Sequence, residues 1–180
     1  MGKKLVKYKT IIFGEYHGQP IEWYIIDTAP QKELIISKYG LDSVIYSKDK
    51  CKSWSESDLR QWCKQFYSEA FSTTQRMMIE DTVLTDGDNL CIDKLYVLSL
   101  SEAKLYFENA EEKEVQATDY ALTRGVFKGK RGNCRWWLRS EDNITVFAAG
   151  ASPNNEFNYV EVEVDNSFPA VRPTCWIKTE

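Results

Sequence analysis

A tryptophan-rich strand pattern is the most informative part of the sequence: Arg135-Trp136-Trp137-Leu138-Arg139-Ser140. Neighbouring residues of a β-strand point to opposite faces of the sheet. We therefore expect one tryptophan to enter the core and the other to lie against a loop or a ligand. An arginine embedded in such a strand either bonds a carboxylate and backbone carbonyls or binds a ligand, and the sequence leaves both roles open for Arg139.

Strand patterns continue on the C-terminal side of this hexapeptide. Alternating residues predict strands over Thr145 to Ala149, Tyr159 to Val164 and Val171 to Ile177. The intervening loop, residues 151–158, is rich in oxygen and amide groups, which bind sugar hydroxyls or calcium. The candidate ligand-binding residues are accordingly Trp137, Arg139, Asn154, Asn155 and Glu156.

The N-terminal part of the chain predicts a β-meander. Tyr8 to Glu15 and Ile21 to Asp27 are rich in β-forming residues and flank a turn, so they predict a hairpin with His17 at its tip. Leu34 to Ser37 continues the meander, and another strand is predicted over Lys94 to Leu98. A period of two places four residues of the meander in the core: Trp23, Ile25, Leu34 and Ile36.

Three capping patterns predict helices in the middle of the chain: Ser55 with Asp58, Ser72 with Gln75, and Ser99 with Glu102. The first helix has one apolar face, which is formed by Leu59, Trp62, Cys63 and Phe66. Helices in the middle and strands at both ends predict an α+β fold, with a mixed and mainly antiparallel sheet and two to three flanking helices. Because no repeat or linker interrupts the pattern, we expect one domain over residues 1–180.

Composition excludes several classes of partner and site. Lys and Arg number 23 against 27 Asp and Glu, and the net charge of -4 repels phosphate backbones, so we expect no nucleic-acid partner. No apolar run approaches the roughly 18 residues of a membrane span, and five scattered cysteines fit reduced thiols in the cytoplasm. With a single histidine, histidine-rich zinc sites are excluded, and we expect neither a metal nor a cofactor.

Several short motifs resemble, in combination, a bacterial domain family of unknown function that is common in Firmicutes, especially gut Clostridia. The similarity extends over nearly the whole chain. It is carried by Glu22-Trp23, Leu34 to Ser37, Ser57 to Trp62, Ala70 to Ser72, Val97 to Glu102, Thr118 to Ala121, Trp136 to Ser140 and Val171 to Pro173. Because that family has no established activity, the resemblance implies an architecture and leaves the function open.

The paired tryptophans and the closing Val171-Arg172-Pro173 strand also resemble the C-type-lectin-like fold, which the formylglycine-generating enzymes share. This resemblance implies a single domain whose loop region holds the ligand. Sugar-binding members use a Glu-Pro-Asn calcium motif, of which Ser152-Pro153-Asn154 matches the last two positions, and a Trp-Asn-Asp motif, which is missing. The enzymes use a reactive cysteine pair, and the sequence around Cys134 and Cys175 does not reproduce its motif.

These observations favour a non-catalytic binding module whose loop surface between Arg139 and Asn158 holds an unknown protein or glycan. The first alternative is an enzyme that uses Cys134 or Cys175 on a formylglycine-generating-enzyme-like fold. The second alternative is a structural domain of a larger assembly, which predicts an apolar patch and self-association.

Overall fold

The structure, a computed structural model, describes residues 8–107, 114–129, 131–151 and 157–179. Four helices lie within these residues: α1 (Asp58–Ala70), α2 (Thr73–Met78), α3 (Leu100–Tyr106) and α4 (Asp119–Arg124). The strands are β1 (Thr10–Tyr16), β2 (Gln19–Ala29), β3 (Lys32–Ser37), β4 (Asp42–Ser43), β5 (Thr82–Asp86), β6 (Asn89–Asp93), β7 (Val115–Gln116), β8 (Asn133–Cys134), β9 (Trp136–Trp137), β10 (Phe147–Ala151), β11 (Phe157–Glu161), β12 (Ala170–Val171) and β13 (Thr174–Lys178).

Two larger sheets form the framework, and their buried residues join those of the helices in one hydrophobic cluster. The first sheet has the order β1-β2-β3-β13 and is antiparallel throughout. The second has the order β11-β10-β9-β12-β4, with one parallel pair, β9 and β12. The hairpins β5-β6 and β7-β8 are separate two-stranded sheets. The predicted class, helices with mainly antiparallel sheet, is confirmed.

The N-terminal hairpin forms as predicted. Tyr16 pairs with Gln19 across a two-residue turn, in which His17 has φ 49° and Gly18 has φ 75°. Two consecutive left-handed residues match a type I′ turn, the turn whose twist fits an antiparallel hairpin. All four predicted inward side chains of the meander are buried: Trp23, Ile25, Leu34 and Ile36.

The helices follow their predicted capping boxes at Ser72 and Ser99, but α1 does not begin where its pattern indicated. The cap of α1 is Ser57, whose hydroxyl accepts the Arg60 N–H, and the prediction of Ser55 was wrong. The backbone N–H of Ser55 is instead donated to Asp86. The short helix α4 was not predicted, because its cap, Thr118, has no capping-box partner. No helix in the described residues is long and apolar enough to cross a membrane.

Two predicted strands are wrong in detail. Residues 94–98 form no strand, and Tyr96 makes only an isolated bridge to Thr174. The predicted strand from Val171 to Ile177 is divided, since β12 belongs to the second sheet and β13 to the first. The division falls at Arg172 and Pro173, and a proline has no N–H to continue a ladder of hydrogen bonds. The chain thus crosses between the two sheets at this point.

Arg172 lies at this crossing and is completely buried. Its Nε donates to the Ser37 carbonyl at 2.7 Å, and its guanidinium lies over the Trp136 ring at 4.9 Å and the Phe107 ring at 5.3 Å. Its two terminal nitrogens have no hydrogen-bond partner among the described residues. Burial lowers the pKa of Arg172 to about 10. The Arg172 side chain therefore holds the sheets together through its contacts with the two aromatic rings and through one hydrogen bond.

Both tryptophans of the hexapeptide are fully buried. Of the two expected surroundings, a loop or a ligand, Trp137 has the first, because its contacts are with the loop that follows β4. Trp136 packs edge-on against Phe107. Trp137, on the opposite face, packs against Tyr46 at 5.8 Å and donates its Nε1–H to the Val44 carbonyl at 2.7 Å. Both faces of β9 are covered, one by Phe107 and Arg172 and the other by Tyr46.

Replacing Arg172 tests this packing. Arg172→Met keeps most of the side-chain volume and removes the unpaired buried donors, so we expect the free energy of unfolding to change by less than about 1 kcal/mol. Arg172→Ala leaves a cavity between the rings and lowers the free energy of unfolding by about 3 kcal/mol or more. Urea unfolding followed by tryptophan fluorescence measures both. Equal losses in the two variants would show that the charge itself is required.

Candidate functional site

The predicted binding residues on β9 and just after it make internal contacts. Trp137 donates to Val44, as described above, and Arg139 is only 4% exposed. One terminal nitrogen of Arg139 donates to the Thr85 carbonyl at 3.1 Å, and the other donates to Glu102 Oε1 at 3.0 Å. These contacts tie the segment after β9 to β5 and to α3. The other predicted residues, Asn154, Asn155 and Glu156, lie outside the described residues.

The hairpin β5-β6, to which Arg139 is bonded, exposes apolar side chains. Val83 pairs with Ile92, and Thr85 pairs with Leu90. The relative exposure is 63% for Val83, 70% for Leu90 and 63% for Ile92. We call these four outward-facing residues the hairpin face. Sequence reasoning identified the Asp86–Asn89 turn but missed its two strands, although their alternating residues on either side of an Asp-Gly pair are a hairpin signal.

The inward side of the same hairpin carries buried carboxylates. Asp86 accepts hydrogen bonds from the Ser53 hydroxyl at 2.8 Å, the Trp54 N–H at 2.8 Å and the Ser55 N–H at 3.1 Å. Asp93 accepts from the Trp54 indole at 2.8 Å and pairs with Arg60 Nε at 2.9 Å. The usual alternation of a surface hairpin, polar outside and apolar inside, is therefore partly reversed.

Hydrogen bonding keeps Asp86 ionised in the folded chain. Burial acts to raise the pKa of Asp86, but the bonds from Ser55, Ser53 and the Trp54 N–H together lower it below its ordinary value. A carboxylate held in this way fixes the hairpin against the loop before α1. The network therefore determines which face of the hairpin points outward.

Three acidic residues lie on the hairpin turn and on the loop that contacts it. Gly87 has φ 61°, and its N–H donates to the Glu141 carbonyl at 2.8 Å, so the loop after β9 contacts the turn. The Asp142 carboxylate accepts the N–H groups of Ile144 and Thr145, which lower its pKa. With the exposed Asp88 of the turn, these side chains form what we call the acidic rim: Asp88, Glu141 and Asp142.

Residues 31–179 match a family described as a domain of unknown function, DUF6273. The chain belongs to this family. No curated protein and no solved structure matches the chain. The DUF6273 match extends from β3 to β13, so it includes the hairpin face and the acidic rim, whereas the turn at His17 precedes it.

An aromatic cluster surrounds the turn at His17, between β1 and β2. The His17 ring stacks on Tyr120 with centroids 3.7 Å apart, and Tyr16 contacts His17, Trp62, Phe66 and Tyr120 edge-on. Beneath the rings, the Asp42 carboxylate accepts the Tyr16 hydroxyl at 2.7 Å and the Trp62 indole N–H at 3.0 Å. Burial and the Asp42 hydrogen bond raise the pKa of Tyr16. The cluster therefore fastens the turn to α1 and α4.

The thiols are poorly placed for nucleophilic chemistry. All five cysteines are free, and the four apart from Cys51 are buried. Burial raises the pKa of Cys63, Cys91 and Cys175, and raises that of Cys134 to about 12. A hydrogen bond to Glu56 raises the pKa of the partly exposed Cys51. At neutral pH each thiol is therefore protonated, and the prediction that Cys63 is a buried apolar residue is confirmed.

An open cleft of about 650 Å³ lies beside α2. It is lined by Tyr67, Thr73, Arg76, Met77, Ile79, Glu80, Asp81, Lys94 and Lys178. Most of its charged groups already have partners: Lys94 pairs with Asp81 at 3.2 Å, and Arg76 donates to the Ser68 and Phe71 carbonyls. No group of three or more His, Cys, Asp or Glu side chains in the described ranges is arranged to hold a metal ion. The hairpin face is therefore the better candidate for a binding surface.

Alkylation tests the assignment of the thiols. Native protein treated with iodoacetamide at neutral pH is expected to label slowly and at Cys51 alone, because the other thiols are buried and protonated. Peptide mass spectrometry locates the label. Cys51→Ser is the control, and its labelling is expected only after unfolding in urea. Fast labelling of Cys134 or Cys175 in the folded chain would contradict this assignment and revive the enzyme alternative.

Substitution of two tyrosines of the aromatic cluster by phenylalanine tests the Tyr16–Asp42 hydrogen bond. Tyr16→Phe removes a hydroxyl that bonds the buried Asp42, so we expect the free energy of unfolding to fall by about 1–3 kcal/mol. The Tyr120 hydroxyl has no hydrogen bond in the described part of the chain, and Tyr120→Phe is expected to change the free energy of unfolding by less than about 0.5 kcal/mol. Urea unfolding measures both values. Similar values for the two variants would refute a specific role for the Tyr16–Asp42 bond.

Proposed function

We propose that the chain is a non-catalytic interaction module that binds a protein partner through the hairpin face. The observation that carries this proposal is the exposure of Val83, Leu90 and Ile92 on strands whose buried side holds Asp86 and Asp93. Contiguous exposed apolar side chains on a folded protein mark interaction surfaces. Here their outward position is maintained by hydrogen-bonded carboxylates on the inner side.

The size of the hairpin face suits a weak and reversible complex. Complete burial of a Val, Leu or Ile side chain contributes about 1.5–3 kcal/mol, so three of them supply on the order of 5–9 kcal/mol before the cost of association. The net affinity is then in the micromolar to millimolar range unless polar contacts at the rim add to it. Signalling and assembly contacts of short lifetime fall in this class.

The proposal includes the C-type-lectin-like architecture and the loop surface that follows β9. In support, helices flank antiparallel sheets, β13 closes the first sheet, and the loop after β9 reaches the hairpin turn at Gly87. Arg139 supports the surface at the edge of the hairpin by bonding the Thr85 carbonyl. We propose that Asn154, Asn155 and Glu156 add polar contacts to the partner, that residues 1–180 act as one domain, and that the protein works in the cytoplasm.

The alternatives have less support. An enzyme that uses Cys134 or Cys175 requires an accessible thiolate, but both thiols are buried and their pKa values are raised. A structural domain of a larger assembly remains the competing explanation of an apolar face. It differs from the proposal in predicting self-association rather than binding of a separate partner.

Selection from a random peptide library on phage tests the proposal, because such a library samples many partner sequences at once. Peptides enriched on the wild-type chain are expected to lose at least about tenfold in affinity for Ile92→Asp, because a charge on the hairpin face cannot be buried unpaired. Ile12→Asp is the matched control, since Ile12 is also 63% exposed but lies on β1. Biolayer interferometry measures the affinities, and circular dichroism checks the fold.

Two outcomes would contradict the proposal. In one, no peptide is enriched, or the enriched peptides bind Ile92→Asp as well as they bind the wild type. In the other, light scattering shows concentration-dependent self-association that Ile92→Asp abolishes, which identifies the hairpin face as a contact within an assembly.

A further inference from the structure

We infer that the occupant of the hairpin face is one amphipathic α-helix of the partner, about three turns long, with lysine or arginine side chains at the end that lies over the acidic rim. This inference rests on the proposed function and specifies the chemistry of the partner. It is carried by three properties of the surface: its dimensions, its charge and its rigidity.

The dimensions of the hairpin face match a single helix. Each strand has five residues, which span about 17 Å at roughly 3.3 Å per residue. Two strands about 4.8 Å apart present a surface about 10 Å wide, which is the diameter of one α-helix. A helix covers 17 Å with about 11 residues, or three turns. Its apolar positions i, i+3, i+4 and i+7 then lie above Val83, Leu90 and Ile92.

The charge of the surface is unequal at its two ends. At the base, Asp81 is paired with Lys94 at 3.2 Å. At the tip, the three residues of the acidic rim lie on the turn and on the loop whose backbone is bonded to it, and backbone N–H groups hold the pKa of Asp142 below its ordinary value. The Glu141 carboxylate accepts only the Ser101 hydroxyl and N–H among the described residues, and these are neutral donors. Cationic side chains of a docked helix therefore complement the tip.

The same charge and dimensions disfavour other occupants. A footprint of about 10 by 17 Å is far below the roughly 800 Å² that each partner buries in a stable dimer, so a second copy of the chain finds too little contact on this face alone. Anionic lipid headgroups are repelled by the acidic rim and by the net charge of -4. A basic helical segment of another protein fits both the small footprint and the negative charge of this surface.

Rigidity reduces the cost of docking such a helix. The hairpin is anchored on its inner side through Asp86 and Asp93, at its edge through the bond from Arg139 to Thr85, and at its turn through Gly87 and Glu141. Little of the surface has to be ordered when a partner binds, and preorganisation of this kind raises affinity without new contacts.

Synthetic peptides of about 14 residues test the inference directly. Two of them carry leucine at i, i+3, i+4 and i+7 and differ in one terminal turn, which holds either three lysines or three glutamates. A third peptide has a central proline and the lysine turn, and a fourth has the lysine composition in scrambled order. Isothermal titration calorimetry against the full chain measures binding, and amide chemical shifts of ¹⁵N-labelled protein locate it.

The lysine peptide is expected to bind at least about fivefold more tightly than the glutamate peptide, with shift changes at the hairpin face. High salt is expected to reduce this difference, because rim charges are exposed and screened. Asp88→Asn is expected to reduce it as well, whereas Glu15→Gln, which removes an exposed carboxylate of β1, leaves it unchanged. The proline and scrambled peptides are expected to bind at least about tenfold more weakly.

Each remaining outcome overturns the inference. Equal binding of the lysine and glutamate peptides removes the role of the acidic rim, and undiminished binding of the proline peptide indicates an extended occupant. Binding to vesicles of phosphatidylcholine and phosphatidylglycerol that Ile92→Asp abolishes would assign the face to a membrane. Failure of all the helical peptides, while library peptides still depend on Ile92, overturns the helix and leaves the proposed function standing.

Discussion

The crossing of the chain between two sheets at Arg172 and Pro173 is the constraint on which the rest of the structure depends. One residue earlier the chain belongs to the β12 ladder beside Trp136, and one residue later it pairs with β3. The Ser37 backbone is bonded on both sides of this joint, since its N–H donates to Pro173 and its carbonyl accepts from Arg172. The two sheets are thereby held in one fixed relation, and β9 is covered on both faces.

Local patterns predicted local structure well. The hairpin with His17 at its tip, the strands around Trp23 and the capping boxes at Ser72 and Ser99 depend on residues close together in the chain, and all are present. The departures came from distant contacts. Ser55 is not the cap of α1 because its N–H is bonded to Asp86, 31 residues further along the chain. No pattern within one helix contains that information.

The candidate site was harder to predict for the same reason. Trp137 and Arg139 stand out in the sequence because large aromatic and charged residues alternate there, but their partners, Val44 and Glu102, are far away in the chain. The hairpin face was missed because its strands reverse the usual arrangement, with Asp86 and Asp93 inside. If every carboxylate is expected at the surface, the side of the hairpin that carries Val83, Leu90 and Ile92 is assigned to the core, although it is exposed.

Acidic residues at the ends of β5 and β6 also affect the chain before it folds. Asp81 and Asp86 enclose the apolar residues of one strand, and Asp88 and Asp93 enclose those of the other. Charges that flank a short β-forming segment act as gatekeepers, because stacking the segment against copies of itself brings like charges together. These four carboxylates, two of which later anchor the hairpin, thus oppose β-aggregation of the unfolded chain, so the exposed apolar face adds little risk during synthesis.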